Sequence, residues 1–114
     1  MNNYKRMWDF PVADGVLFPD ANRVHPLMQK RVDTLTRSLK KDNNIRKLVL
    51  FGSSLEFRCN SHSDIDLYIE KYDKDKKIEN FPELDCPVDI VADLSPDSRL
   101  YQEIDKTGLL LFER

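Results

Sequence analysis

The chain has 114 residues, enough for one domain with its own buried core and too few for two. Apolar residues make up 40% and charged residues 33%, the balance of a well-solvated globule. Lys+Arg 18 against Asp+Glu 20 leaves a net charge of −2, so there is no global positive field to draw in nucleic acid. No apolar run approaches the roughly 18 residues that a bilayer span needs. The stretch Met1–Trp8 lacks the apolar segment of a signal peptide, and Cys59 and Cys86 match no zinc or redox spacing. Reduced thiols and the cytoplasm are the expectation.

In chain order, residues 1–22 read as an arm and residues 23–114 as the domain. In the arm, Pro11, Gly15 and Pro19 break any helix, while Trp8, Phe10, Val12, Leu17 and Phe18 supply apolar anchors. It is expected to pack along the domain or onto a partner. From Pro26 to Lys41 the spacing of Met28, Val32, Leu35 and Leu39 predicts one face of an amphipathic helix. Pro26 sits in its first turn, His25 just ahead of it, and Asp42-Asn43-Asn44 stops it. Lys30, Arg31, Arg37, Lys40 and Lys41 form a solvated opposite face.

Leu48 to Phe51 is a short apolar run of the kind found in a strand buried on both faces, and Gly52-Ser53 ends it with a turn. Asp64 to Glu70 alternates, with Ile65, Leu67 and Ile69 on one face and Asp64, Asp66 and Tyr68 on the other. Lys71 to Asn80 is a mixed-charge connection. Val88 to Val91 is a third strand with Asp89 opposite Val88 and Ile90. Ser95-Pro96-Asp97 is expected to open a helix with Ser95 as its cap and Leu100 and Ile104 as its buried stripe. Gly108 ends that helix, and Leu109 to Phe112 forms a last strand.

The chemistry lies between Leu48 and Asp89. Two carboxylates two positions apart on one strand face repel each other, and a bound divalent cation removes that cost. Oxygen-only ligands favour Mg²⁺ or Mn²⁺. With the Asp89 strand alongside, a third carboxylate reaches the same spot, and two ions about 3.5–4 Å apart can clamp a displacement at phosphorus. Gly52 lets the backbone approach a phosphate closely, and Ser53 and Ser54 add donors.

Gly52-Ser53, ten residues, then Asp64-Ile65-Asp66-Leu67 resembles the signature of the nucleotidyltransferase superfamily related to DNA polymerase beta. In so short a chain it is similar to the minimal nucleotidyltransferases, and the likeness runs from Pro26 through Val88-Asp89-Ile90-Val91 to Arg114. The resemblance implies an α/β (α+β) fold: a mixed sheet of about four strands with helices packed largely on one face. It also implies that Asp64 and Asp66 bind two Mg²⁺ ions and that Asp89 is the third carboxylate, binding the catalytic ion and accepting the proton of the attacking hydroxyl. Ser53 would hold the outer phosphates of a nucleoside triphosphate, ATP first among them.

The implied acceptor is a tyrosine of a partner HEPN toxin, which makes the chain an antitoxin. A small-molecule, antibiotic-type transferase and a binding antitoxin acting by occlusion are the alternatives. The arm can cover the site, dock the partner or build a homodimer; a membrane or nucleic-acid partner is not expected. Where many minimal members read Gly-Ser-Arg-Ala-Arg-Gly, this chain has Gly52-Ser-Ser-Leu-Glu-Phe57, with Arg58 as a nearby substitute cation.

Overall fold

A computed structural model of the chain describes residues 9–56, 59, 60 and 62–114. Four strands make one sheet in the order β3-β2-β1-β4: β1 Ile45–Phe51, β2 Ile65–Lys71, β3 Val88–Ala92 and β4 Leu109–Glu113. β1 runs antiparallel to both β2 and β4, whereas β2 and β3 are parallel. This is the expected mixed, four-stranded α+β sheet. β1 is longer than its apolar run because Ile45 still pairs with Lys71, across an irregularity at Arg46.

Helix α1, Pro26–Lys40, covers one face. Its apolar stripe of Met28, Val32, Leu35 and Leu39 is fully buried, in a cluster with Leu48, Leu50, Ile65, Leu67 and Ile69. Pro26 occupies the first turn, where its missing N–H costs nothing. His25 caps the helix, its Nδ1 accepting the Leu27 N–H at 3.2 Å.

The described part of the arm is built onto this helix. Val16, Phe18, Ala21 and Val24 join the same cluster. Gln29, also on α1 and fully buried, holds the backbone in place. Its carbonyl accepts the Ala13 N–H at 2.8 Å, and its amide donates to the carbonyls of Pro11 at 2.8 Å and Val24 at 3.0 Å. Trp8 and Arg58 lie outside the described residues.

The opposite face is only partly covered, by helix α2, Arg99–Thr107. There Val49, Tyr68 and Ile104 form a second, smaller buried cluster flanked by Phe51, Val91, Leu94 and Tyr101. Helical cover is thus heaviest on the α1 side. The cap of α2 is Ser98, not Ser95: the Ser98 hydroxyl accepts the Tyr101 N–H at 3.1 Å. Ser95-Pro96-Asp97 closes a separate turn, in which the Ser98 N–H reaches the Ser95 carbonyl at 2.9 Å.

Starting later rotates the buried stripe, so Leu100 stays 45% exposed while Tyr101 and Ile104 face the sheet. Gly108 ends the helix for want of room rather than for a left-handed turn. An added Cβ would lie 2.6 Å from Val49 Cγ1 and 2.5 Å from the Ile104 carbonyl oxygen.

The mixed-charge connection after β2 is mostly exposed but pinned. Buried Asp42 accepts the N–H groups of Asn44 and Glu79, each at 2.9 Å. Arg31 grips Asp85 in a two-pronged ion pair at 2.7 and 2.9 Å. Among the described residues, no helix is long and apolar enough to cross a membrane.

Gln29→Ala strands buried backbone donors and acceptors and opens a cavity. It is expected to lower the unfolding free energy by about 2–4 kcal/mol, read from urea titration of purified protein.

Candidate active site

Burial of Ile65, Leu67 and Ile69, none of which retains exposed surface, sets the orientation of β2. The two-residue period then turns Asp66, Tyr68 and Glu70 to the other face. Parallel pairing brings β3 alongside with Asp66 opposite Asp89. Neighbouring strands lie about 4.8 Å apart and paired residues of a parallel ladder point the same way, so the two carboxylates are side by side. Asp64 immediately precedes β2.

Burial, then the charges of Asp89 and Asp64, push the Asp66 carboxyl above the usual carboxylate range. The structure therefore brings the three predicted acids within electrostatic reach of one another. Asp89 is exposed and the other two are half-buried.

Among the described residues, no three His, Cys, Asp or Glu side chains are already drawn together as a cation cage. The donor chemistry nevertheless fits a hard divalent ion. The group consists of carboxylate oxygens alone, and no cationic side chain is among the groups that shift Asp66.

The Gly-Ser turn presses on the same spot. Phe51, the last residue of β1, pairs with Asp66, and Gly52 follows with φ +82°, a left-handed conformation that favours glycine. A Cβ on Gly52 would run into Asp66 Oδ2 and come within 3.2 Å of its Cγ. Gly52–Leu55 forms a single 3₁₀ turn, closed where the Glu56 N–H reaches the Ser53 carbonyl at 2.9 Å. Ser53 is half-buried. Ser54 is fully enclosed, its carbonyl accepting the His25 N–H at 2.8 Å, and its hydroxyl has no hydrogen-bond partner among the described residues.

The far end of this face is closed. Tyr68, only 1% exposed, donates its hydroxyl to Glu70 at 2.9 Å and packs edge-on against Tyr101, with ring centroids 5.7 Å apart. Burial first, then the Glu70 contact, pushes its hydroxyl well above the ordinary value. Tyr68 is therefore a buried strut and does not line an open pocket.

Burial alone would raise the Glu70 carboxyl, but hydrogen bonds from Arg46 and Tyr68 outweigh it and hold the group below the usual range. Arg46 also reaches Glu113 at 3.2 Å. Sequence reading missed this Arg46–Glu70–Tyr68 chain. The spacing of Tyr68 and Glu70 is visible along β2, but Arg46 joins them only through the β1–β2 register.

An α+β sheet with acids gathered beside a glycine turn has the layout of a phosphoryl- or nucleotidyl-transfer protein. The chain belongs to the polymerase beta family of nucleotidyltransferases: the family model described as "Polymerase beta, Nucleotidyltransferase" matches residues 33–114. Nucleotidyl transfer is thus its general class of reaction. Comparison with curated proteins and with solved structures returned no match.

Gly52→Ala places a methyl group against the Asp66 carboxylate on a left-handed backbone. We expect a loss of roughly 1–3 kcal/mol in stability, read from urea midpoints. The Glu70 carboxyl titrates below 4.5 when folded, so the unfolded chain binds the extra proton as pH falls. Its stabilisation is present above that value and is lost as pH falls through the folded one. Glu70→Gln is expected to flatten the decline of stability below pH 4.5, measured by denaturant midpoints across the acid range.

Proposed function

We propose that the chain transfers a nucleoside monophosphate, AMP from ATP first among the candidates, to a tyrosine hydroxyl on a partner protein of the HEPN type and thereby acts as an antitoxin. The observation that carries this reading is the parallel pairing of Asp66 with Asp89 beside Gly52. It sets two carboxylates at a turn whose glycine lies directly against Asp66, with the half-buried Ser53 next in line to meet a phosphate.

Asp64, Asp66 and Asp89 would hold two Mg²⁺ ions, with Mn²⁺ a workable substitute. When bound, the ions supply the positive charge that offsets the charge developing on the reacting phosphate. Ser53, half-buried at the turn, holds the outer phosphates. The acceptor oxygen forms a bond to the α-phosphorus while the bond from that phosphorus to the bridging oxygen breaks. Pyrophosphate leaves with the electron pair, and the hydroxyl proton passes to Asp89, the exposed carboxylate of the three.

A protein acceptor is supported by how this face is covered. α2 packs over its Tyr68 end, and the buried cluster it forms there with Val49 and Tyr68 includes neither Asp66 nor Asp89, which is exposed. The remaining wall of the site then comes from the partner.

The test is to purify the chain with its partner, add Mg²⁺, and supply α-labelled ATP, CTP, GTP or UTP in turn. Label on the partner is expected. Asp66→Asn and Asp89→Asn each lower it by at least about a hundredfold. Because Asp66 sits among like charges, Asp66→Asn should also gain up to about 1 kcal/mol of stability. A stable complex that takes no label from any nucleotide would sink the transferase in favour of occlusion.

A further inference from the structure

Strand β3 forms one edge of the sheet, with β2 as its ladder partner on the inner side. Two backbone hydrogen bonds define which way it turns: Ile65 N–H to the Pro87 carbonyl at 3.0 Å, and Asp93 N–H to the Ile69 carbonyl at 2.9 Å. In a parallel ladder the inward-turning residues alternate, so Pro87, Asp89, Val91 and Asp93 face β2. Val88, Ile90 and Ala92 turn their N–H and C=O groups outward. Among the described residues, no hydrogen bond reaches those outward groups.

The segment that runs into and out of this strand also has a distinctive charge. Between Lys77 and Arg99 the sequence holds Glu79, Glu83, Asp85, Asp89, Asp93 and Asp97, and no Lys, Arg or His. Asp85 is answered by Arg31 at 2.7 Å and Asp93 by Lys71 at 3.8 Å; both cations come from other elements. On the face away from Asp89, Ile90 leaves 38% of its surface in water.

Resting on the transferase reading above, we propose that the acceptor docks by strand addition: a basic, extended polypeptide segment pairs antiparallel with the outer edge of β3 and delivers a tyrosine hydroxyl to the carboxylates. The pairing geometry makes this specific. Asp89 turns its own backbone inward, so an antiparallel newcomer meets it in a non-hydrogen-bonded pair, with the Cα atoms about 4.5 Å apart and the side chains on one face. The residue opposite Asp89 therefore projects beside Asp89, on the same face as Asp66 one strand further in.

The residues on either side of it exchange N–H···O bonds with Val88 and Ile90, and the one facing Ile90 covers its exposed side chain. Main-chain bonds supply affinity, and alternating side chains supply selection. Lysine or arginine in the segment meets the acidic tract. Tyrosine, the longest hydroxyl side chain, reaches over the strand spacing to the phosphate. The other sheet edge, β4, is separated from β2 by β1 and cannot present a side chain there.

The experiment uses the intact chain and a short synthetic peptide with a central tyrosine, a valine on each side and lysines at the ends. Binding is read by fluorescence anisotropy with Mg²⁺ and ATP present. N-methylation of the valine amides, which face the edge, is expected to weaken binding roughly tenfold or more, whereas methylation of the tyrosine amide, which faces away, leaves it within about twofold. Ile90→Pro removes one outward N–H and keeps the inward bonds of Asp89 and Val91. It should weaken the peptide to a similar degree while Mg²⁺-ATP still binds by calorimetry.

No binding, or equal sensitivity to methylation at either phase, overturns strand addition. The methylated peptides decide this on the unaltered protein even if the proline variant fails to fold. Label transfer from α-labelled ATP is followed in parallel. A peptide that binds in the expected phase but takes no label keeps the docking edge and counts against the transferase. Transfer that is indifferent to Ile90→Pro and to methylation phase keeps the transferase and removes the edge.

Discussion

The alternation of Ile65, Leu67 and Ile69 along β2 is the constraint on which the site depends. Full burial of each is worth about 1.5–3 kcal/mol, so the three together far outweigh the roughly 1 kcal/mol cost of carboxylates crowded on one face. A one-residue slip would drive Asp66, Tyr68 and Glu70 into the α1-side core and expose all three aliphatic side chains. Hydrophobic burial therefore enforces the position of Asp66. The charge repulsion that follows is tolerated because the alternative register is far worse. The parallel partner then adds Asp89, and the end of β1 presses Gly52 against the same carboxylate.

One sheet face thus divides into two regions with opposite physics. Around Tyr68, α2 closes the surface, the two tyrosines meet edge-on, and the Arg46–Glu70 ion pair satisfies the buried polar groups. This region is a lock that holds β1 and β2 in register. Around Asp66 like charges accumulate, and Gly52 lets the backbone lie against the carboxylate where any side chain would collide with it. Unbalanced charge is concentrated where a cationic ligand would relieve it, and the closed half supplies the rigidity that keeps it there.

The same asymmetry appears at the level of the whole domain. On the α1 side the described part of the arm is sewn to the helix by Gln29, and Arg31 ties the segment before β3 through Asp85. The second contact uses a side chain, Arg31, that read as part of a plain solvated face. The tract from Glu79 to Asp97, which contains β3, carries acids and no Lys, Arg or His, and the cations that pair with it, Arg31 and Lys71, come from α1 and β2. Charge segregation of this kind along the chain leaves the net total near neutral.

Much of this was legible along the chain, because it depends on near neighbours. The α1 stripe, the proline at its start, the alternation of β2 and the Gly52-Ser53 to Asp66 spacing all follow from periods of a few residues and from local backbone chemistry. The choice of cap for α2 was not legible. Ser95 and Ser98 are both competent, and the position of Tyr68 and Val49 beneath the helix decides which turn it starts on. Gln29 reads as one more polar helix residue until Pro11, Ala13 and Val24 close around it.

The sequence by itself determined that Asp66, Tyr68 and Glu70 share a side of β2, since alternation is a property of that strand alone. Only the tertiary structure decided that Asp89 stands beside Asp66, that Arg46 completes the Tyr68–Glu70 lock, and that β3 is left as an edge. Each of these depends on strand order and register, which are set by summed packing across the sheet between residues far apart in the chain, and no local pattern carries that sum.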